Sequence, residues 1–201
     1  MEVEVKLTLS SRDAYEKLIA SLESQAEKKA VHAQENFFFD GAHQELSREK
    51  VIVRIRFYQD PDRCVLAIKG QAVIVDGVSC CSEEEEDIDP TLGRRFISEP
   101  SKLLSSSIAL AKKVESVYGC SELVRVGHFE NRRSVFAWNC LTLEVDETRF
   151  DFGTAYELEC ETATPEVTRQ RLETFLKEHN ISFKYSAISK FKRMIKGTFD
   201  D

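Results

Sequence analysis

Glu2-Val3-Glu4-Val5-Lys6-Leu7-Thr8-Leu9 alternates without a break, with Glu2, Glu4, Lys6 and Thr8 on one face and Val3, Val5, Leu7 and Leu9 on the other. A period of two with β-branched residues predicts a half-buried strand. An ordinary exposed strand face mixes Lys, Glu, Thr and Ser, but this chain sorts its strand faces by sign. Arg54 and Arg56 share one face of Val51–Tyr58, opposite Val53, Ile55 and Phe57. Glu144 and Asp146 oppose Leu143 and Val145, and Glu157, Glu159 and Glu161 oppose Leu158 and Cys160. Side chains two residues apart project together about 7 Å from one another. Two carboxylates at that distance repel by roughly 2–3 kcal/mol at an effective dielectric near 20. Such faces either meet bulk water or enclose cations. If the apolar faces pack outward against helices, the charged faces point inward and the sheet closes around a wet, charged lumen. A lumen of carboxylates and Lys/Arg suits a polyphosphate with divalent cations: arginine and lysine neutralise phosphate oxygens, and an all-oxygen site suits Mg²⁺ or Mn²⁺.

Outward from the first strand, Ser10-Ser11 offers an N-cap to a helix over Arg12–Ser24, with Ala14, Leu18, Ile19 and Leu22 at helical spacing. Further strands are predicted over Glu35–Asp40, Val51–Tyr58 and Arg63–Lys69, with Asp60-Pro61-Asp62 as a turn. The stretch Val78–Asp89 carries the acidic run Glu83–Asp87, and a short helical turn lies between Pro90 and Pro100. The rhythm of Leu103, Leu104, Ile108, Ala111 and Val114 predicts a helix over Lys102–Tyr118. Strands follow over Leu123–Ala137, Cys140–Phe150 and Thr154–Thr162, then helices over Glu166–His179 and Ser186–Lys196. No repeat or linker interrupts the pattern. The expectation is an α+β fold in a single domain over 1–201: an eight-stranded antiparallel β-barrel with helices outside.

Composition narrows the function. The 201 residues carry 28 Lys plus Arg against 35 Asp plus Glu, a formal charge of −7, which argues against a general nucleic-acid binder. No apolar run reaches the roughly 18–20 residues of a membrane span, and the acidic N-terminus is unlike a signal peptide. The six cysteines form no CxxC pair and are expected as buried free thiols, so a cytoplasmic protein is anticipated. His32, His43, His128 and His179 are scattered and complete no base–nucleophile pair.

The ExExK start, Glu2 to Lys6, resembles the signature of the CYTH or triphosphate tunnel metalloenzyme superfamily. Further matches follow in the family's order: Arg54-Ile55-Arg56, Lys69, the acidic strand near Glu83, Asn131-Arg132-Arg133, Leu143-Glu144-Val145-Asp146, Tyr156 to Glu161, and Ser189-Lys190-Phe191. Glu-Val-Asp-Glu-Thr, then Asp-Phe-Gly and Tyr-Glu-Leu-Glu-Cys-Glu, resembles the plant branch, whose characterised members hydrolyse inorganic triphosphate. The resemblance implies a tunnel holding a linear triphosphate with two Mg²⁺ or Mn²⁺ ions. It makes Lys6, Arg54, Arg56, Lys69 and Arg133 phosphate-binding, with Lys190 closing one tunnel mouth. Glu2, Glu4 and Glu161 would hold the first metal, and Glu159 with Asp146 and Glu83 or Glu85 would serve the second metal and the attacking water. Glu144 is read as a rim residue outside the site. One departure is local: Cys80-Cys81-Ser82 stands where relatives carry a basic residue and an acid, which leaves the inward-facing members of Glu83–Glu86 open. The implied activity is hydrolysis of inorganic tripolyphosphate by a monomer without DNA or membrane partners. The alternatives are an organic triphosphatase (acting on thiamine triphosphate, a nucleotide or an RNA 5′ end), an adenylate cyclase, or a non-catalytic polyphosphate-binding module.

Overall fold

The computed structural model describes residues 1–199, and within them the chain forms eleven strands and six α-helices. In chain order these are β1 (Glu2–Leu9), α1 (Arg12–Gln25), β2 (Glu27–Gly41), α2 (Glu45–Arg48), β3 (Val51–Tyr58), β4 (Cys64–Gly70), β5 (Val73–Val75), β6 (Val78–Cys81) and β7 (Glu83–Asp87). There follow α3 (Pro90–Ser98), α4 (Ala109–Ser116), β8 (Leu123–Trp138), β9 (Leu141–Phe150), β10 (Gly153–Glu161), α5 (Pro165–Glu178), β11 (Phe183–Tyr185) and α6 (Lys190–Lys196). The chain divides into two compact units, one formed by residues 1–33, 72–80 and 130 onward, the other by 34–71 and 81–129. No helix is long and apolar enough to cross a membrane.

In the first unit the strands are ordered β5-β6-β1-β10-β9-β8, with β11 also pairing β1. Val5, Leu7 and Leu9 of β1, Leu143 and Val145 of β9, and Leu158 and Cys160 of β10 form one apolar face. Leu18 and Leu22 of α1 and Leu172, Phe175 and Leu176 of α5 pack onto it. These helices start where their caps dictate. Ser11 accepts a hydrogen bond from the Ala14 N–H, and Pro165 occupies the first turn of α5, where no N–H is required. Two-residue turns with positive φ at both central positions, Asp76-Gly77 and Asn139-Cys140, close the β5–β6 and β8–β9 hairpins.

In the second unit the order is β2-β3-β4-β7, again antiparallel. Phe39, Val53, Ile55, Phe57, Leu66 and Ile68 face Phe96 of α3 and Leu110, Ala111 and Val114 of α4. Gly93 lets α3 approach closely, because a Cβ there would stand 2.7 Å from Cys64 Sγ.

Eleven strands form where eight were expected, and the differences have local causes. Ser82 divides the Val78–Asp89 stretch into β6 and β7, and the three-residue strands β5 and β11 were too short to show a period. The helix expected over Lys102–Tyr118 is replaced by a 3-10 turn at Pro100–Lys102 and by α4, which starts only at Ala109. Between them Ser106 Oγ accepts from the Ile108 N–H, so a serine side chain competes with the helical backbone. Strand β2 begins at Glu27, eight residues before the predicted start, in a stretch of exposed and half-buried residues without apolar alternation. None of the six cysteines forms a disulfide, and Cys140 is exposed. Burial pushes the Cys64 thiol up to about 12 and those of Cys120 and Cys160 up to about 11.

Candidate active site

The charged residues of the first unit lie in cross-strand rows on the face opposite its apolar core. Lys6 of β1 pairs with Glu159 of β10, which pairs with Glu144 of β9. One step along, Thr8, Glu157, Asp146 and Arg133 form the next row, and Glu4 faces Glu161. Directly opposed residues on neighbouring strands bring their side chains within about 5 Å, so the rows converge. Lys6 Nζ lies 2.7 Å from Glu159 Oε1 and 3.0 Å from Glu4 Oε1. Arg133 donates to both oxygens of Asp146 (2.8 and 2.6 Å), to Glu159 Oε2 (2.6 Å) and to Glu144.

Lys190 reaches the same carboxylates from α6, whose first turn is capped by Ser189. Its ammonium stands 2.7 Å from Asp146 Oδ2, 2.6 Å from Glu159 Oε1 and 3.1 Å from Glu157 Oε2. The site is therefore a buried net of three cations and several carboxylates rather than an acidic cage. Among the described residues, no three acidic, His or Cys side chains gather into a ready cation cluster.

The electrostatics follow from this sharing. Burial alone would raise Glu159, but Lys190, Lys6 and Arg133 outweigh it and hold the carboxyl well below the usual range. Asp146 is likewise lowered, with Arg133 and Lys190 overcoming its burial. Lys6 and Lys190 are raised, because Glu159 and Glu4 around the first, and Asp146 and Glu159 around the second, prevail over desolvation. Glu4 and Glu144 differ: burial is their largest influence and leaves both raised.

The second unit carries its own charged face. Arg54 of β3, 4 % exposed, stands opposite Ala67 of β4, which stands opposite Glu85 of β7. The small Ala67 lets the guanidinium span the middle strand, so that Nη2 donates to Glu85 (2.7 Å) and Glu83 (2.9 Å). Lys69 Nζ reaches Glu83 at 2.5 Å, and Arg56 Nε donates to Asn36 Oδ1 at 2.8 Å. Burial, then Arg56, lower the Arg54 guanidinium to about 10.

The structure thus brings Lys6, Glu4, Arg133, Asp146, Glu159 and Lys190 together in one unit, and Arg54, Arg56, Lys69, Glu83 and Glu85 in the other. Glu2 is half-buried at the start of β1, and Glu161 is exposed at the end of β10. Register resolves the acidic run: Glu83 and Glu85 turn to Arg54, while Glu84 pairs with Lys113 and Glu86 accepts from the Leu110 N–H. Glu144, read from sequence as a rim residue, contacts Arg133. Sequence reasoning also missed Arg193, whose signal was its spacing of three from Lys190 on one helix, and Asn36, which lies on the polar side of β2 between Gln34 and Phe38.

The CYTH domain profile matches residues 1–195. A protein of Hippeastrum, provisionally designated an adenylyl cyclase and described as having a dominant triphosphatase activity, is 39 % identical. Its structure superimposes with a TM-score of 0.92, covering 100 % of this chain and 98 % of that one. A provisionally designated adenylate cyclase of Bacillus halodurans shares the fold at 19 % identity and TM-score 0.73, with 96 % of each chain covered. The triphosphatase of the Mimivirus capping enzyme shares it more distantly, at 11 % identity and TM-score 0.50, covering 89 % of this chain and 88 % of that one. Comparison with the curated proteins found no match. The chain belongs to the CYTH family.

Proposed function

We propose that this protein is a triphosphatase that hydrolyses inorganic tripolyphosphate to pyrophosphate and phosphate with Mg²⁺ or Mn²⁺. The observation that carries the reading is the buried net in which Lys6, Arg133 and Lys190 each hold Glu159, with Asp146 shared between the last two. Such cations suit phosphate oxygens, and phosphoryl transfer needs positioning and charge neutralisation more than covalent chemistry. The dominant triphosphatase activity described for the Hippeastrum relative supports the same reading.

In this mechanism Lys6, Arg133 and Lys190 exchange carboxylate oxygens for phosphate oxygens when the substrate enters. Arg54, Arg56 and Lys69 are the phosphate ligands of the second unit. Glu159, assisted by Asp146, then orients the attacking water and accepts its proton, and the departing pyrophosphate keeps its charge neutralised by the basic groups. Within the second unit, Glu83 and Glu85 of β7 hold Arg54 and Lys69 until phosphate oxygens replace them. The donor set is all oxygen and fits a hard divalent cation: Glu2, Glu4 and Glu161 would hold one ion, and Glu159 with Asp146 the other. When bound, such ions supply charge neutralisation of the triphosphate and lower the pKa of coordinated water.

The test is release of orthophosphate from tripolyphosphate, ATP and thiamine triphosphate, with cyclic AMP measured alongside. Tripolyphosphate should be the preferred substrate, with activity lost in EDTA and restored by Mg²⁺ or Mn²⁺. Glu159→Gln should lower turnover by about a hundredfold or more. Undiminished turnover in chelator, or cyclic AMP as the main product from ATP, would sink the reading.

A further inference from the structure

Asn36 stands on β2 opposite Arg56 of β3. Its neighbour Phe37 packs against the apolar core, so Asn36 lies on the other, charged face. The residue is 0 % exposed. Its Oδ1 accepts from Arg56 Nε at 2.8 Å, whereas the buried Nδ2 has no hydrogen-bond acceptor in the protein. Two pairs along the same two strands, on the same face, Arg54 is opposite Phe38, and its buried Nε also lacks an acceptor, although its Nη2 is shared by Glu83 and Glu85. Unmatched buried polar groups are rare in folded proteins, and each calls for an explanation. Here both unmatched groups are donors on one face of two paired strands, diagonal to each other across two register steps, and one of them belongs to a guanidinium group. That asymmetry fits an anion with several acceptor oxygens.

We propose that Asn36 binds the substrate directly, its Nδ2 donating to a non-bridging oxygen of a condensed phosphate while its Oδ1 fixes the orientation of Arg56. The assignment deepens the triphosphatase reading and rests on it for the identity of the anion. An amide is suited to the position. Arg56 already disfavours the charge on Arg54, and a neutral donor adds a hydrogen bond without a third positive charge.

The experiment is a double-mutant cycle on tripolyphosphate affinity, measured by calorimetry in EDTA, where the proposed reaction does not run. The variants are Asn36→Leu, of similar volume, Arg56→Ala and their combination, with Asn36→Ala in place of Leu if the Leu variant melts lower than wild type. Losing a hydrogen bond to a charged oxygen should weaken binding about tenfold. Asn36→Leu should do so in both the wild-type and the Arg56→Ala backgrounds, without lowering the melting temperature of the ligand-free protein. Unchanged affinity overturns the proposal. So does a loss seen only when Arg56 is present, which would make Asn36 a positioning residue for that arginine alone. Wild-type protein that binds tripolyphosphate in EDTA but releases no phosphate from it with Mg²⁺ overturns the function proposed above, while the cycle still decides the role of Asn36. If wild type binds neither tripolyphosphate nor pyrophosphate, both fall.

Discussion

Glu4 and Glu159 sit on adjacent strands and share the ammonium of Lys6, yet their charges have opposite consequences for stability. Glu159 is held below its ordinary value of 4.5, so its contribution to folding is present above that value and is lost as pH falls through the depressed native pKa. Glu4 is raised above 4.5 by burial, with Glu159 and Glu2 adding repulsion. A carboxyl that binds its proton more tightly when folded loses stability as pH rises from its unfolded value through its native one. At neutral pH the Glu4 charge is therefore a net burden on the ligand-free protein. Glu4→Gln should raise the melting temperature at pH 7, and the gain should shrink as pH is lowered toward 4.5. Because Lys6 keeps Glu159 as a partner, the substitution strands no ammonium. Differential scanning fluorimetry across pH reads the effect, and a lower melting temperature at pH 7 would contradict this account.

At the scale of the element, α6 is a seven-residue helix anchored by Arg193 as well as by Lys190. Arg193, 1 % exposed, donates to Glu157 Oε1 at 2.8 Å and to Thr8 Oγ1 at 3.0 Å. Lys190, one turn earlier on the same side of the helix, enters the carboxylate net. The anchor and the functional lysine thus share an element too short to be stable alone. Arg193→Ala leaves a buried carboxylate short of a partner, a loss of about 3–5 kcal/mol. At about 2–4 °C per kcal/mol for a chain of this size, the melting temperature should fall by about 10 °C. The Michaelis constant for tripolyphosphate should rise with it, since Lys190 loses its support. A variant that melts normally would show that α6 is held by other contacts.

The whole molecule holds its charged faces opposite two separate apolar cores, one in each unit. Each face contains carboxylates near other carboxylates, relieved by basic groups that a polyanion would also engage. A ligand that binds only the native state stabilises it by RT ln(1 + [L]/Kd), about 2.7 kcal/mol at a hundredfold excess over Kd. Tripolyphosphate with Mg²⁺ should therefore raise the melting temperature by about 5–10 °C, and orthophosphate by much less. Equal shifts with the two anions would mean that the faces do not read a linear triphosphate.

The alternation of Glu2 to Leu9, repeated through Arg54, Asp146 and Glu159, determined by itself that the strands are charged on one face, and the meandering order of strands, turns and helices that they are antiparallel and helix-covered. That followed because a strand's period of two separates apolar from charged residues within a few positions, and the ordered motifs carried the family with it. Side-chain partnership was not legible in the same way, since it depends on cross-strand register and on what a third element covers. Which of Glu83–Glu86 meets Arg54 was settled by the pairing of β7 with β4 and by the small Ala67 between them. Glu144 joined the site because Arg133 lies on the next strand within reach of it. Asn36 and Arg193 read as ordinary polar residues until the tertiary structure buried them, for burial is what makes a single unmatched N–H or a single ion pair energetically decisive.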